Sequence, residues 1–190
     1  MQIIDWVLIG LYMIFMVAIG AYFKTSSSMS DYAVADKKLG LSVLVATFLA
    51  TGVGGGVIVN GKVIDGSHGA GGEIGHITVN RHETATCGCG KHGCLEQYSS
   101  ATGVVRCMKK LLDENPDIPC TLRGTDFAAK DVFDAARSGD ALAAREVDEM
   151  TDTLGMALAS IAATTDPEMF MIGGGVARAG EVLFDPLREH

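Results

Sequence analysis

Gly71 to Glu96 reads G-G-E-I-G-H-I-T-V-N-R-H-E-T-A-T-C-G-C-G-K-H-G-C-L-E. The stretch is too rich in glycine to be one regular element. Cys87, Cys89 and Cys94 stand in a C-x-C-x4-C spacing, and His76 closes an E-I-G-H run upstream of them. Three thiolates and one imidazole complete a tetrahedral ligand set for zinc. Gly88, Gly90 and Gly93 let the backbone fold tightly around such an ion, because glycine tolerates positive φ. Chemistry alone does not choose the fourth ligand among His76, His82 and His92. The rival readings are buried thiols, or disulfides with Cys107 and Cys120. Interleaved glycine and lysine make C-x-C a poor core pattern, and nothing marks a secreted disulfide scaffold, so zinc is preferred.

G-E-I-G-H followed by C-x-C-G-x-x-G-C-x-E resembles the signature of the ROK family of sugar kinases, the bacterial glucokinases in particular. T-G-V-G-G-G-V-I-V-N-G (Thr51–Gly61) and M-I-G-G-G-V-A-R-A-G-E (Met171–Glu181) are similar to that family as well, in the right order. The resemblance covers about residues 51–190. It implies an α/β fold, a partial actin-like (ribonuclease H-like) ATPase lobe, and transfer of phosphate from ATP, with Mg²⁺, to the 6-hydroxyl of glucose or a related hexose. It also implies that Glu73, His76 and Glu96 hydrogen-bond the sugar. Carboxylates suit that role because each accepts from two adjacent hydroxyls. His76, Cys87, Cys89 and Cys94 would then hold a structural Zn²⁺. Through one nitrogen His76 would bind the metal, and it would offer its other N–H to the sugar, its tautomer fixed by the ion. Thr51, Gly52 and Gly54, with Gly173, Gly174 and Gly175, would approach the nucleotide, where missing Cβ atoms matter. The resemblance leaves room for a homo-oligomer.

The chain has 190 residues, enough for one ordinary domain with an appendage. A net charge of −8 argues against a general nucleic-acid binder. Apolar character concentrates in the first sixty residues. Trp6 to Phe23 is an uninterrupted uncharged run, and 18 residues at about 1.5 Å each nearly span a hydrocarbon core. Asp5 and the lack of Lys or Arg before the run argue against a signal peptide. A buried core helix is the alternative. Residues 3–23 are expected to enter a membrane, with the lysine-bearing loop Lys24–Lys38 and the kinase-like part on the cytoplasmic side. Residues 1–50 are similar to the start of a sodium:solute symporter: a first helix, the D-Y-A-V-A-D-K-K-L-G connector and the A-T-F-L-A-T start of a second helix. The expected organisation is therefore a membrane segment at 1–50 and a truncated ROK lobe at 51–190. Such a join is what a recombined gene or a mis-assembled sequence would produce, and without it the kinase-like part would be cytoplasmic.

Beyond the join, V-I-V-N-G-K-V-I reads as a β-hairpin turning at Asn60-Gly61. Apolar spacing predicts helices over 96–114, 131–138 and 141–163. Asn115-Pro116 and Asp166-Pro167 stop the first and last of these. A short strand over 168–172 runs into Gly173–Gly175 and then a helix from about Ala179. Strand, glycine turn and helix suit a phosphate or adenosine approach, and equally a tight packing turn.

The departures from the family are as informative. Its catalytic aspartate sits in an N-D-A-N-type motif, and its first phosphate loop in a D-x-G-G-T-type motif. Neither occurs in this sequence. No aspartate is assigned as base, and the expected function is that of a ROK-type glucokinase inactive as this chain. The alternatives are a symporter fragment and a non-catalytic, zinc-stabilised sugar-binding remnant. A ROK-type repressor is disfavoured by the absence of a helix-turn-helix pattern or basic face.

Overall fold

Strand β1 (Val43–Leu49) is the axis of the described structure. The computed structural model of the chain describes residues 43–49 and 53–189. β1 pairs antiparallel with β2 (Val53–Val59) and parallel with β4 (Met169–Gly173). β3 (Lys62–Val63) closes the order β3-β2-β1-β4. V-L-V-A-T-F-L is rich in β-branched and aromatic residues, and a central strand satisfies its backbone on both sides. A second membrane-type helix, expected to begin at A-T-F-L-A-T, is thus not what the chain forms there. The apolar run from Trp6 to Phe23, like Thr51 and Gly52, lies outside the described residues. Among the described residues no helix is long and apolar enough to cross a membrane.

The hairpin forms as its sequence predicts. Asn60 (φ 50°) and Gly61 (φ 75°) both lie in the left-handed region that a two-residue primed turn demands. Alternation along the strands then sorts the two faces of the sheet. Val53, together with Ile172 across the sheet, is buried in the main core, and Val57 and Phe170 pack against it.

Helices cover that face. They are α1 (Glu96–Ser99), α2 (Ala101–Glu114), α3 (Ala129–Arg137), α4 (Ala141–Thr165) and α5 (Glu181–Glu189). The single helix expected over 96–114 is broken at Ser100. Its side chain accepts from Gly103 N at 2.9 Å as an N-cap, with extended backbone (φ −81°, ψ 163°). The break lets α1 fold back on α2: a Cβ on Gly103 would lie 2.8 Å from Gln97 backbone atoms. Asp140 caps α4 by accepting from Leu142 N and Ala143 N. Asp166, at φ 43°, ends α4 before Pro167. Leu95, Val104, Met108, Met150, Leu154 and Leu183 are fully buried where these helices meet.

The turn at Ile74–His76, one 3₁₀ turn, packs against β2 through glycine. A Cβ on Gly75 would lie 1.8 Å from Val53 O, and one on Gly55 would lie 2.5 Å from Ile74 Cγ1. Gly75→Ala is therefore expected to destabilise the fold by about 3 kcal/mol, the upper range for overpacking. Urea unfolding of the two proteins at neutral pH measures this.

Candidate functional site

The segment after the turn is a small ribbon. Val79 N donates to Gly93 O (2.8 Å) and Leu95 N to Ile77 O (2.9 Å), so residues 77–79 run antiparallel to 93–95. Gly93 sits at φ 69°, and a Cβ there would fall 1.7 Å from Asn80 O. No other residue fits. Cys87 N donates to Lys91 O and Gly90 N to Cys87 O, which curls Cys87–Lys91 into a tight knuckle.

This ribbon brings His76, Cys87, Cys89 and Cys94 together, with their ligand atoms all within 4.8 Å of one another. Cys89 Sγ and Cys94 Sγ are 3.6 Å apart, and His76 Nδ1 is 3.8 Å from Cys87 Sγ. Zinc with Zn–S of about 2.3 Å and Zn–N of about 2.0–2.1 Å has tetrahedral edges of roughly 3.5–3.8 Å, so these donors fit it. Of the three histidines, His76 is the one the fold brings into this group. His92 Nδ1 lies 3.0 Å from Ala85 O, and the exposed His82 holds its turn only through its backbone N–H to Asn80 Oδ1. All five cysteines are free thiols, with Cys107 and Cys120 outside the cluster. Burial first, then the Cys89 and Cys87 sulfurs, pushes the Cys94 thiol up to about 12. The hydrogen bond from the Lys91 amide pulls Cys89 below the ordinary thiol range. A dication bound there would favour the thiolate forms of its ligands.

His76 and Glu96 both approach the Cys87 sulfur. Cys87 Sγ lies 3.9 Å from Glu96 Oε1 as well as 3.8 Å from His76 Nδ1. Val53 N donates to Glu96 Oε2 at 3.3 Å, which ties that carboxylate to the start of β2. Glu73 is exposed and opens the turn that ends in His76. Lys91 Nζ donates to His76 O at 2.7 Å, fastening the turn to the knuckle. No sequence signal distinguishes Lys91 for this task.

The two glycine motifs share one row of the sheet. Gly54 pairs with Phe48, and Phe48 with Gly173, so they lie two strands apart, about 10 Å. A Cβ on Gly54 would meet nothing within 4 Å, so the backbone there is open. Gly174 has φ 96° and Gly175 begins the turn Val176–Ala179. Beside Gly175 lies a cavity of about 680 Å³ walled by Ala101, Ala129, Phe133, Val176 and Ala179, with Lys130, Arg137 and Arg178 among its polar groups. Sequence reading placed α3 as a helix but had no means of showing that its face walls a cavity.

A third set clamps the ribbon to α2. Tyr98 Oη donates to Glu83 Oε2 (2.7 Å), Asn80 Nδ2 donates to Tyr98 Oη (2.9 Å), and Arg106 pairs with Glu83 (3.1 Å). The Arg106 guanidinium lies 5.4 Å from the Tyr98 ring centre. Gln97 accepts from Cys94 N and donates to Ala85 O.

A mixed sheet, antiparallel over β3-β2-β1 and parallel only at β1-β4, covered by helices and carrying a Cys₃His loop, has the form of a lobe of the actin-like class. The chain matches the ROK family over residues 25–190, and it belongs to that family. It is 44% identical over 145 residues to a glucokinase of Halalkalibacterium halodurans, spanning 75% of this chain and 44% of that one. A glucokinase of Thermotoga maritima is 41% identical over 149 residues, spanning 77% and 47%. Among solved structures it is similar to a ROK family glucokinase from Streptomyces griseus in complex with glucose and AMPPNP. That likeness has a TM-score of 0.70 and 34% identity, covering 80% of this chain and 50% of that one. A ROK family transcriptional regulator, a homologue of the Escherichia coli MLC protein, is also similar (TM-score 0.69, 28% identity, 78% and 37% covered). The chain spans about half the length of these relatives or less.

Two outcomes test this geometry. Purified protein is expected to carry close to one zinc per chain by elemental analysis, with the metal lost in Cys89→Ser and kept in His82→Ala and His92→Ala. The second concerns Glu83, whose pKa is lowered from 4.5 to about 2, first by the Ala85 amide and then by Tyr98 and Arg106. Its contribution to stability is full above the unfolded value and lost as pH falls through the folded one. Glu83→Gln should therefore cost about 2–3 kcal/mol at pH 7 and progressively less below about pH 4.5. Urea titrations at both pH values measure the difference.

Proposed function

We propose that this chain is the sugar- and nucleotide-contacting part of a ROK-type glucokinase, acting on glucose or a related hexose with ATP and Mg²⁺ in the cytoplasm. The observation that carries it is the meeting of His76 and Glu96 on Cys87 Sγ, within the His76–Cys87–Cys89–Cys94 set. We place the boundary of the symporter-like segment ahead of β1, since β1 is the centre of the sheet.

The chemistry follows from the residues. Zinc, with all four positions taken by protein, would be structural and would supply no Lewis-acid chemistry. His76 turns Nδ1 to the thiols, which leaves Nε2–H to donate to a sugar oxygen. Glu96, held by Val53 N, accepts from hydroxyls, and Glu73 accepts from the exposed side of the turn. Gly54 leaves room for phosphate oxygens near backbone, and the cavity beside Gly175 has the size and apolar walls that suit an adenosine. These roles bind and orient. The family's aspartate motif has no match in this sequence, so no residue is assigned to take the proton from the 6-hydroxyl.

The reading predicts that zinc-loaded protein binds glucose measurably by calorimetry, and that Glu96→Ala weakens this at least about tenfold, as losing a charged hydrogen-bond partner should. In a coupled assay for glucose 6-phosphate, the 190-residue chain alone should turn over well below about 1 s⁻¹, the low end for kinases. General-base loss alone removes about 10²–10⁴-fold. Turnover near that rate, abolished by Glu96→Ala, would mean that a base is supplied from elsewhere. Absence of glucose binding would overturn the reading itself.

A further inference from the structure

We propose that the cleft between the metal ribbon, α2 and α4 is a second ligand site, one that takes a small primary amine, in its protonated form, on the carboxylate of Glu146. The cleft has a volume of about 420 Å³ and is separate from the residues assigned to sugar, nucleotide and metal. Its charges nearly all cancel. Arg106 pairs with Glu83 (3.1 Å), Lys110 with Glu114 (3.7 Å) and Arg145 with Glu149 (2.7 Å). Asp152 at the rim is itself engaged. Glu146 is left over: it lines the cleft, is only 2% exposed, and has no hydrogen bond or ion pair among the described residues.

Arg106 and the Cys107 thiol of α2 face Glu146, with Arg145 on its own helix, and Arg106 is committed elsewhere except at Nε, which has no partner among the described residues. Its Nη2 serves Glu83 and the Gln97 carbonyl, and its guanidinium lies over Tyr98. Burial first, and then the Glu149 carboxylate, push the Glu146 pKa up to about 8, so near neutral pH the free protein holds it mostly protonated. A buried carboxyl without a partner is costly, and one positive charge from a ligand is the group that completes it.

The alternatives fail on the same inventory. An anion would find one open donor, Arg106 Nε, and would face the carboxylates of Glu83, Glu146 and Glu149 in the same lining. A metal ion needs several converging donors, and among the described residues only the His76–Cys87–Cys89–Cys94 group supplies them. Met150 and Leu111, both buried, line the cleft beside Glu146 and suit the short apolar stem of an alkyl amine. On binding, the Glu146 O–H bond breaks, the proton leaves to solvent, and the ammonium donates to the carboxylate. Occupancy would be felt by the metal ribbon, because Glu83 and Tyr98 belong to both.

The test is calorimetry on the full zinc-loaded chain at pH 7, with n-butylamine against its neutral counterpart 1-butanol, in two buffers of different ionisation enthalpy. The expected result is amine binding tighter than about 10 mM, release of up to one proton, and no comparable binding of the alcohol. Glu146→Gln should lose at least about tenfold in amine affinity while keeping zinc and glucose binding. Should that variant fail to fold, Thr153→Trp, which adds bulk to the cleft lining two turns along α4 from Glu146, should abolish amine binding and leave zinc and glucose binding intact. No amine binding at about 10 mM, equal binding of 1-butanol, or undiminished binding in a folded variant would each overturn the proposal. Since glucose binding is read separately, failure here is distinguishable from failure of the kinase reading.

Discussion

Two backbone contacts with no room for a methyl group hold the site together. Gly75 lies against Val53 O and Gly93 against Asn80 O, with distances from a notional Cβ of 1.8 and 1.7 Å. The first seats the His76 turn on β2. The second closes the ribbon so that Cys94 returns to Cys87 and Cys89. A larger residue at either place would move a ligand by more than a metal bond tolerates, since Zn–S and Zn–N distances are fixed to within about 0.2 Å. From these contacts follow the placement of His76 near Cys87 and the anchoring of Glu96 on Val53 N. Glu96 and the Cys₃His group are thus held together.

The sheet adds the second constraint. β1 is paired on both sides, so the start of β2 and the end of β4 are held in register with it and with one another. That register puts Gly54 and Gly173 in one row. Ligands of open α/β sheets gather beyond the carboxyl ends of parallel strands, and β1 and β4 both end there. The Glu96–Val53 hydrogen bond joins this edge of the sheet to the Cys₃His ribbon.

Much of this was legible in the sequence because it rests on local rules. The Cys-x-Cys-x4-Cys spacing, the Asn60-Gly61 turn, the stops at Asn115-Pro116 and Asp166-Pro167, and the Gly173–Gly175 turn each act over a few residues. What was not legible depends on contacts between distant segments. Ser100 breaks the expected 96–114 helix because α1 packs back on α2 at Gly103. A-T-F-L-A-T resembles the start of a symporter helix, yet its first four residues belong to β1, paired with β2 and β4. Chemistry left three histidines open, and the folding of the ribbon chose His76. Lys91, Gln97 and the Glu83–Tyr98–Arg106 clamp carry no motif, yet they fix the loop.

We propose that one metal ion, held by His76, Cys87, Cys89 and Cys94, orders the segment that carries Glu73 and Glu96. X-ray absorption at the zinc edge of the purified chain tests it most directly. The account predicts a first shell of three sulfurs at about 2.3 Å and one nitrogen at about 2.0–2.1 Å. A shell of nitrogen and oxygen alone, or fewer than three sulfurs, would contradict it.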